Sequence, residues 1–346
     1  MTAADQAEQL ALEATARDAA AAFGCAPGSR IAFVTRRENH VFRVTNDDGD
    51  WALKLHRPGY RTAREIESEA AVCGLMASAG IRVPAPVRSL AGPYVAQVGP
   101  EGEPWQATMQ AWVRDASPIG DSARVFLGGA RPSDETLREF GRTMALMHRC
   151  AEDVGTPEGY ERPAWDAEGL VGESPVWGRA SELPALDGAT RSLVRAAEER
   201  LARELRGLER SARTYGPIHA DLTMENVLRD EAGLVVIDFD DMGEGWYVFD
   251  IATACFFFTG HPDADAMIRA VLAGYAVERP LAPEDALAWH PLLLARALTY
   301  LAWSVERPDE EATAFHVAEL APRIAAAART YLDTGSTGWT DLPVGS

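Results

Sequence analysis

Short strand-like runs occupy the first third of this chain and helical periodicity takes over after it, and that change of pattern limits the folds available. Arg30 to Thr35, His40 to Thr45 and Trp51 to His56 read as strands, the last two joined through the turn residues Asn46, Asp47, Asp48 and Gly49. Two more strands are expected near Val87 to Leu90 and Gln106 to Val113. An Ala-rich helix from Gln6 to Phe23, stopped by Gly24 and Pro27, precedes them. A second helix, Thr62 to Ala79, sets Ile66, Ala70, Cys73 and Ala77 at helical spacings and ends at Gly80.

Beyond the loop Arg114 to Pro132 the pattern is mainly helical. Ser133 caps a segment carrying Leu137, Phe140, Met144 and Met147 to about Cys150, and another helix spans Ala189 to Leu208. Between them, Gly155 to Gly188 has the Pro, Gly and Trp content of an insertion or a substrate-facing excursion. The apolar run Ala286 to Val305 is interrupted by His290 and Arg296, which are costly in hydrocarbon, so it reads as a buried helix. The expected fold is α+β in two lobes: a small antiparallel-sheet lobe over 1–113 and a larger, mainly helical lobe over 114–346. A ligand is expected in the cleft between such lobes.

Charge removes several function classes. The 52 acidic against 33 basic residues leave a net charge of −19, which repels nucleic acid and anionic membrane. Cys25, Cys73, Cys150 and Cys255 form no CxxC pair, and the N-terminus carries Asp5 and Glu8 where a signal peptide would be basic. A reducing, cytoplasmic location is therefore expected. No HExxH, GxSxG or Walker A pattern is present, so zinc hydrolysis, serine hydrolysis and P-loop chemistry have no support.

The chemistry concentrates in Ile218-His219-Ala220-Asp221-Leu222-Thr223-Met224-Glu225-Asn226, followed by Leu234-Val235-Val236-Ile237-Asp238-Phe239-Asp240-Asp241. Phosphoryl transfer needs a carboxylate facing the acceptor hydroxyl and hard oxygen ligands for magnesium. Asp221 supplies the first and Asn226 and Asp238 the second, with a loop and hairpin to gather them. Upstream, Lys54 lies within the apolar strand Ala52 to His56, where a charged amine needs a partner or a phosphate.

This pattern of His-x-Asp, Asn five residues on, then Ile-Asp-Phe-Asp, resembles the protein-kinase-like phosphotransferases that include aminoglycoside and choline kinases. Glu38-Asn39-x-Val41-Phe42 and Leu55-His56-Arg57-Pro58 are nearer to the stress response kinase A and type II homoserine kinase branches, with a thinner likeness at Tyr300-Leu301-Ala302-Trp303. The resemblance implies a two-lobed kinase fold using ATP and Mg2+, with Asp221 as catalytic base or hydroxyl-orienting group and Asn226 and Asp238 as metal ligands. It implies further that Lys54 touches the nucleotide phosphates, paired with Glu69 or its rival Glu65, and that the hinge carrying Gln110 and Trp112 meets adenine. His219 becomes a structural member of the loop and Asp250 its tether.

The chain departs from that pattern in three places. Thr35 to Val44, in the place of the nucleotide-covering turn, lacks glycines; by the same resemblance Ala220 stands where antibiotic kinases often have glycine and Asp240 where protein kinases have the glycine of the DFG motif. Asp240, Asp241, Glu244 and Trp246 either touch a substrate amine or cap and pack the loop; Trp165, Trp177 and Trp303 line an acceptor pocket or sit in the core. The expected reaction moves the ATP γ-phosphoryl group to a small-molecule hydroxyl on an amino alcohol, a hydroxy amino acid or a sugar-like compound. A protein Ser/Thr kinase and a non-catalytic nucleotide-binding module remain the alternatives.

Overall fold

A computed structural model of the chain describes residues 3–36, 39–99 and 104–342. Arg37 and Glu38, called above as part of the covering turn, lie outside the described residues. The chain forms two compact units, one comprising Met1–Ala116, Pro157–Glu161 and Asp230–Asp240, the other Ser117–Thr156, Arg162–Arg229 and Asp241–Ser346.

In the first unit helix α1 (Ala3–Ala22) is followed by β1 (Arg30–Arg36), β2 (His40–Asn46) and β3 (Gly49–His56), then helix α2 (Ala63–Ser78), then β4 (Pro86–Val87), β5 (Ala96–Val98) and β6 (Trp105–Ala111). The strands form one antiparallel sheet in the order β1-β2-β3-β6-β4, with β5 also on β6. The strand expected to reach Leu90 is limited to Pro86–Val87, and β5, three residues long, is too short to show a period.

Leu53 and Leu55 of β3 pack with Phe42, Val44, Ala107 and Met109 against Ala16, Ala19, Ala20 and Phe23 at the C-terminal end of α1. Each such buried Leu contributes roughly 2 kcal/mol. Strand alternation then sends Lys54 to the opposite face, in register with Val41 and Thr108. Helix α2 starts at a capping box: the Glu65 N–H donates to Thr62 Oγ1 at 3.2 Å and the Thr62 N–H to Glu65 Oε2 at 2.7 Å.

The second unit is mainly helical. Its helices are α3 (Ser122–Phe126), α4 (Asp134–Val154), α5 (Ala167–Val171), α6 (Gly188–Leu205), α7 (Tyr247–Phe256), α8 (Ala264–Glu278), α9 (Pro283–Trp303), α10 (Glu311–Phe315) and α11 (Ala321–Thr334). Helices α4 and α8 touch backbone to backbone. A Cβ on Gly141 would lie 1.9 Å from the Val271 carbonyl oxygen, and one on Gly274 1.9 Å from that of Arg138. Every residue of α7 is buried, and α9 is buried from Leu292 to Ala302. Small ladders complete the unit, including Ala164–Trp165 parallel to Gly243–Trp246, which pairs antiparallel with Tyr215–Ile218.

The segment expected as an excursion is largely packed. The Glu161 N–H donates to Ser68 Oγ at 2.9 Å within the first unit. In the second, Trp165 is fully buried between Phe249, at 5.8 Å between ring centroids, and Trp177, at 5.1 Å. Trp165 and Trp177 are core residues, while Trp303 is partly exposed under the Arg307 guanidinium at 4.7 Å. All four cysteines are free thiols. Among the described residues no helix is long and apolar enough to cross a membrane.

Candidate active site

In the second unit the strand Tyr215–Ile218 leads into a loop at His219 that closes in the 3-10 turn Met224–Asn226. Ala220 there takes φ +65°, the left-handed region that glycine adopts most readily. Such a residue costs on the order of 1 kcal/mol unless its surroundings enforce it. Asp250 of α7 does so: its Oδ2 accepts the His219 N–H at 2.8 Å and its Oδ1 the Ala220 N–H at 2.7 Å. His148 of α4 adds an Nε2 contact to Asp250 at 3.1 Å, and its Nδ1 meets the Tyr275 hydroxyl at 2.8 Å. Burial opposes the charge on Asp250, but these donors outweigh it and hold its pKa below the usual carboxylate value. Asp250 is the tether expected for this loop.

Asp221 follows, its side chain 30% exposed. Asn226 Nδ2 donates to the Asp221 carbonyl at 2.8 Å and to its Oδ2 at 3.0 Å. The amide is thereby oriented with its nitrogen on Asp221, which leaves its oxygen as the atom suited to a cation. The other carboxylate oxygen, Asp221 Oδ1, accepts from Arg296 Nη2 at 2.7 Å. The same guanidinium donates to the Tyr300 hydroxyl at 2.7 Å and to the Ala220 carbonyl at 3.2 Å, and lies 4.2 Å from the Tyr300 ring centroid. Arg296 is fully buried; burial disfavours its charge, but Tyr300 and Asp221 keep its pKa raised.

The first unit holds a separate cluster. Asp238, at the end of the run that follows strand Gly233–Val236, has φ +63° and a side chain 42% exposed. Lys54 Nζ donates to Asp240 Oδ1 at 2.8 Å and to Asp238 Oδ1 at 3.2 Å. Burial pushes the lysine pKa down, yet Asp240, Asp238 and Glu69 raise it well above the usual value, so the ammonium is charged. Asn39 ties the cluster together: its Nδ2 donates to Asp240 and its Oδ1 accepts the Arg57 N–H at 3.1 Å. Glu69 lines a small pocket with Asn39, His56, Tyr60 and Asp240. Its rival Glu65 is engaged by the α2 cap and by Arg61 at 3.4 Å.

Gln110 stands in β6 opposite Ala52 and Pro86. The Trp112 N–H donates to the Asp50 carbonyl at 3.0 Å, and the Trp112 ring carries the Arg43 guanidinium at 5.0 Å. Of the groups after Asp238, Asp240 faces Lys54, the Asp241 carbonyl accepts from Trp165 Nε1 at 2.8 Å, and buried Trp246 donates to the Glu209 carbonyl at 3.0 Å.

No group of three or more His, Cys, Asp or Glu side chains is arranged for a metal among the described residues. Magnesium needs no such cage: it keeps several waters and takes one or two protein oxygens beside substrate phosphates. The Asn226 amide oxygen in the second unit, and by itself the accessible Asp238 carboxylate in the first, are each oxygens of the kind that ion takes.

Arg296 and Asn39 touch these groups; the sequence reading assigns Arg296 no site role and places Asn39 only within the covering turn, without a partner. A lone cation in the apolar run Ala286 to Val305 is the signal for the first, because a buried guanidinium must have partners. Its partner lies 75 residues away, which no local pattern reveals.

The model of the family described as "Phosphotransferase enzyme family" matches residues 31–292. The chain is 27% identical to the amicoumacin kinase of Bacillus subtilis (strain 168) over 248 residues, 71% of this chain and 66% of that one, just under two thirds of the relative's length. It resembles the structure of a microcompartment-associated aminopropanol kinase with a TM-score of 0.79 and 27% identity, over 93% of this chain and 98% of that one. A structure of amicoumacin kinase hAmiN in complex with AMP-PNP, Ca2+ and Ami has a TM-score of 0.72 at 20% identity, over 94% of this chain and 96% of that one. With the family model spanning most of its length, the chain belongs to the phosphotransferase enzyme family.

Proposed function

We propose that this chain is an ATP- and magnesium-dependent kinase that phosphorylates the hydroxyl of a small amine-bearing alcohol. The observation that carries the reading is the hold of Asn226 Nδ2 on both Asp221 oxygens, backbone and side chain, which presents a carboxylate to an acceptor and an amide oxygen to a metal at once.

In this reading Asp221 accepts a hydrogen bond from the acceptor hydroxyl, orients its lone pair toward the γ-phosphorus and takes the proton as the new P–O bond forms and the bond from the γ-phosphorus to the bridging oxygen breaks, with ADP leaving. Asn226 and Asp238 are the residues that would hold magnesium, which would supply positive charge against the phosphates. Lys54 exchanges its carboxylate partners for nucleotide phosphate oxygens while Glu69 keeps its charge balanced. Gln110 and Trp112 border the adenine, through backbone groups other than the Trp112 N–H already given to Asp50.

The amine-bearing acceptor rests on the likeness to the aminopropanol kinase, whose fold this chain shares almost end to end; the net charge of −19 accords with a cationic substrate without selecting one. Magnesium-dependent ADP release across amino alcohols, hydroxy amino acids, sugars, aminoglycosides and a generic protein substrate tests it. Stimulation by an amino alcohol, with the phosphorylated product seen by mass spectrometry, is the expected result. Stimulation only by the protein substrate would transfer the reading to a protein kinase, and nucleotide binding without turnover to the non-catalytic module.

A further inference from the structure

The loop carrying Asp221 is gripped from two buried, oppositely charged sides. From α7 the Asp250 carboxylate takes the N–H groups of His219 and Ala220. From α9 the Arg296 guanidinium takes the Ala220 carbonyl and Asp221 Oδ1. The peptide units around the left-handed Ala220 are thus fixed at both their donors and their acceptor, which offsets the strain of that conformation.

Rotation of the Asp221 carboxylate about its last torsion would break two bonds together, Oδ1 to Arg296 and Oδ2 to Asn226. Arg296 itself cannot drift. Its Nη2 is shared with the Tyr300 hydroxyl one helical turn on, and its planar face lies over the Tyr300 and Trp177 rings at 4.2 and 5.2 Å. With no exposed surface it cannot touch a substrate.

We infer that Arg296 is a positioning residue for phosphoryl transfer, a clamp that fixes the rotation of the Asp221 carboxylate so that it faces the acceptor hydroxyl at a set angle. The inference rests on the assignment of Asp221 made above. A planar two-nitrogen donor suits the task, because one guanidinium reaches backbone, carboxylate and phenol at once, whereas a lysine ammonium at the end of a flexible stem does not hold their relative angles.

The test is steady-state kinetics of Arg296→Met, Arg296→Lys and Tyr300→Phe beside wild type and Asp221→Asn, with ADP release on the best amino alcohol and thermal unfolding on the same samples. Methionine replaces the buried stem at similar volume, but it removes one partner of an ion pair and leaves the Asp221 carboxylate in place, so Arg296→Met is expected to lose stability as well, which the unfolding measurement separates from the loss of rate. Arg296→Met is expected to lower kcat about a hundredfold, the scale of a small misplacement of a reacting group, with KM for ATP and acceptor within about twofold of wild type. Arg296→Lys should recover part of that loss, and Tyr300→Phe should lose about fivefold in kcat alone.

Should Arg296→Met not fold, the lysine and phenylalanine variants carry the test. Unchanged kcat in every folded variant, or a loss confined to KM, overturns the clamp while an inactive Asp221→Asn leaves the proposed function standing. An Asp221→Asn enzyme with wild-type turnover overturns both.

Discussion

Each unit of this chain pairs a buried cation with carboxylates, and the two pairings are built differently. In the first, Lys54 projects from a strand onto Asp240 and Asp238, and the Asp238 side chain is 42% exposed. In the second, Arg296 has no exposed surface and divides its donors among Asp221, Tyr300 and the Ala220 backbone. An ammonium is a point charge that can exchange one oxygen partner for another, whereas a guanidinium fixed by several bonds and stacked on a ring keeps its geometry. The lysine cluster is suited to receive a ligand's phosphates; the arginine cluster is suited to hold a protein group still. Charge density alone would not separate the two roles, but the number and direction of the donors does.

Lys54→Met breaks the exchangeable pairing, and kcat/KM for ATP should fall on the order of a thousandfold in steady-state assays. The loss should be shared between KM and kcat, in contrast with the kcat-only loss expected in the arginine cluster. Asp250→Ala attacks the fixed side instead. It strips two buried backbone N–H groups of their acceptor, and urea unfolding should show a loss of about 3 kcal/mol together with reduced turnover.

Asn39→Ala sharpens the comparison at the lysine end. It frees Asp240 from the Arg57 backbone, and KM for ATP should rise about fivefold with a loss of about 1 kcal/mol in urea unfolding, because the buried amide bonds both groups.

The smallest effect is a pH effect behind the arginine. His316 lies within 2.8 Å of Ser304 Oγ, and burial together with the Arg296 charge lowers its pKa to about 4. Because that folded value lies below the ordinary imidazole value of about 6.5, the unfolded chain binds the proton first as the pH falls. The contribution is present above about pH 6.5 and is lost progressively toward pH 4. Unfolding titrations should lose about 1 kcal/mol between roughly pH 6.5 and 5.5, and His316→Asn should remove that share.

The residues between Ile218 and Asp241 were legible because the chemistry is written in nearly contiguous order, with Asn226 one turn from Asp221 and Asp238 at the end of an apolar run. The strands β2 and β3 were legible from their patterns and the turn between them, and α4 from its Ser133 cap, whose hydroxyl oxygen accepts the Thr136 N–H. What escaped depends on distance along the chain. Arg296 finds Asp221 across 75 residues and Asn39 finds Asp240 across 201, so only a charge without a visible partner or a polar residue at a strand start marked them. The same holds for the Pro157–Glu161 and Asp230–Asp240 segments that group with the first unit, since local composition carries no trace of a return. Trp165 and Trp177 could be told from pocket residues only by their burial, because an aromatic at a core position and one at a binding surface have the same sequence appearance.

The most direct test of the central claim compares wild type and Asp221→Asn for ADP release stimulated by an amino alcohol, with ATP binding measured by calorimetry on both. The account predicts a fall in turnover of about a thousandfold with ATP affinity within about twofold, since the substitution alters the group that meets the acceptor and leaves the Lys54 cluster intact. Turnover retained by Asp221→Asn would contradict it.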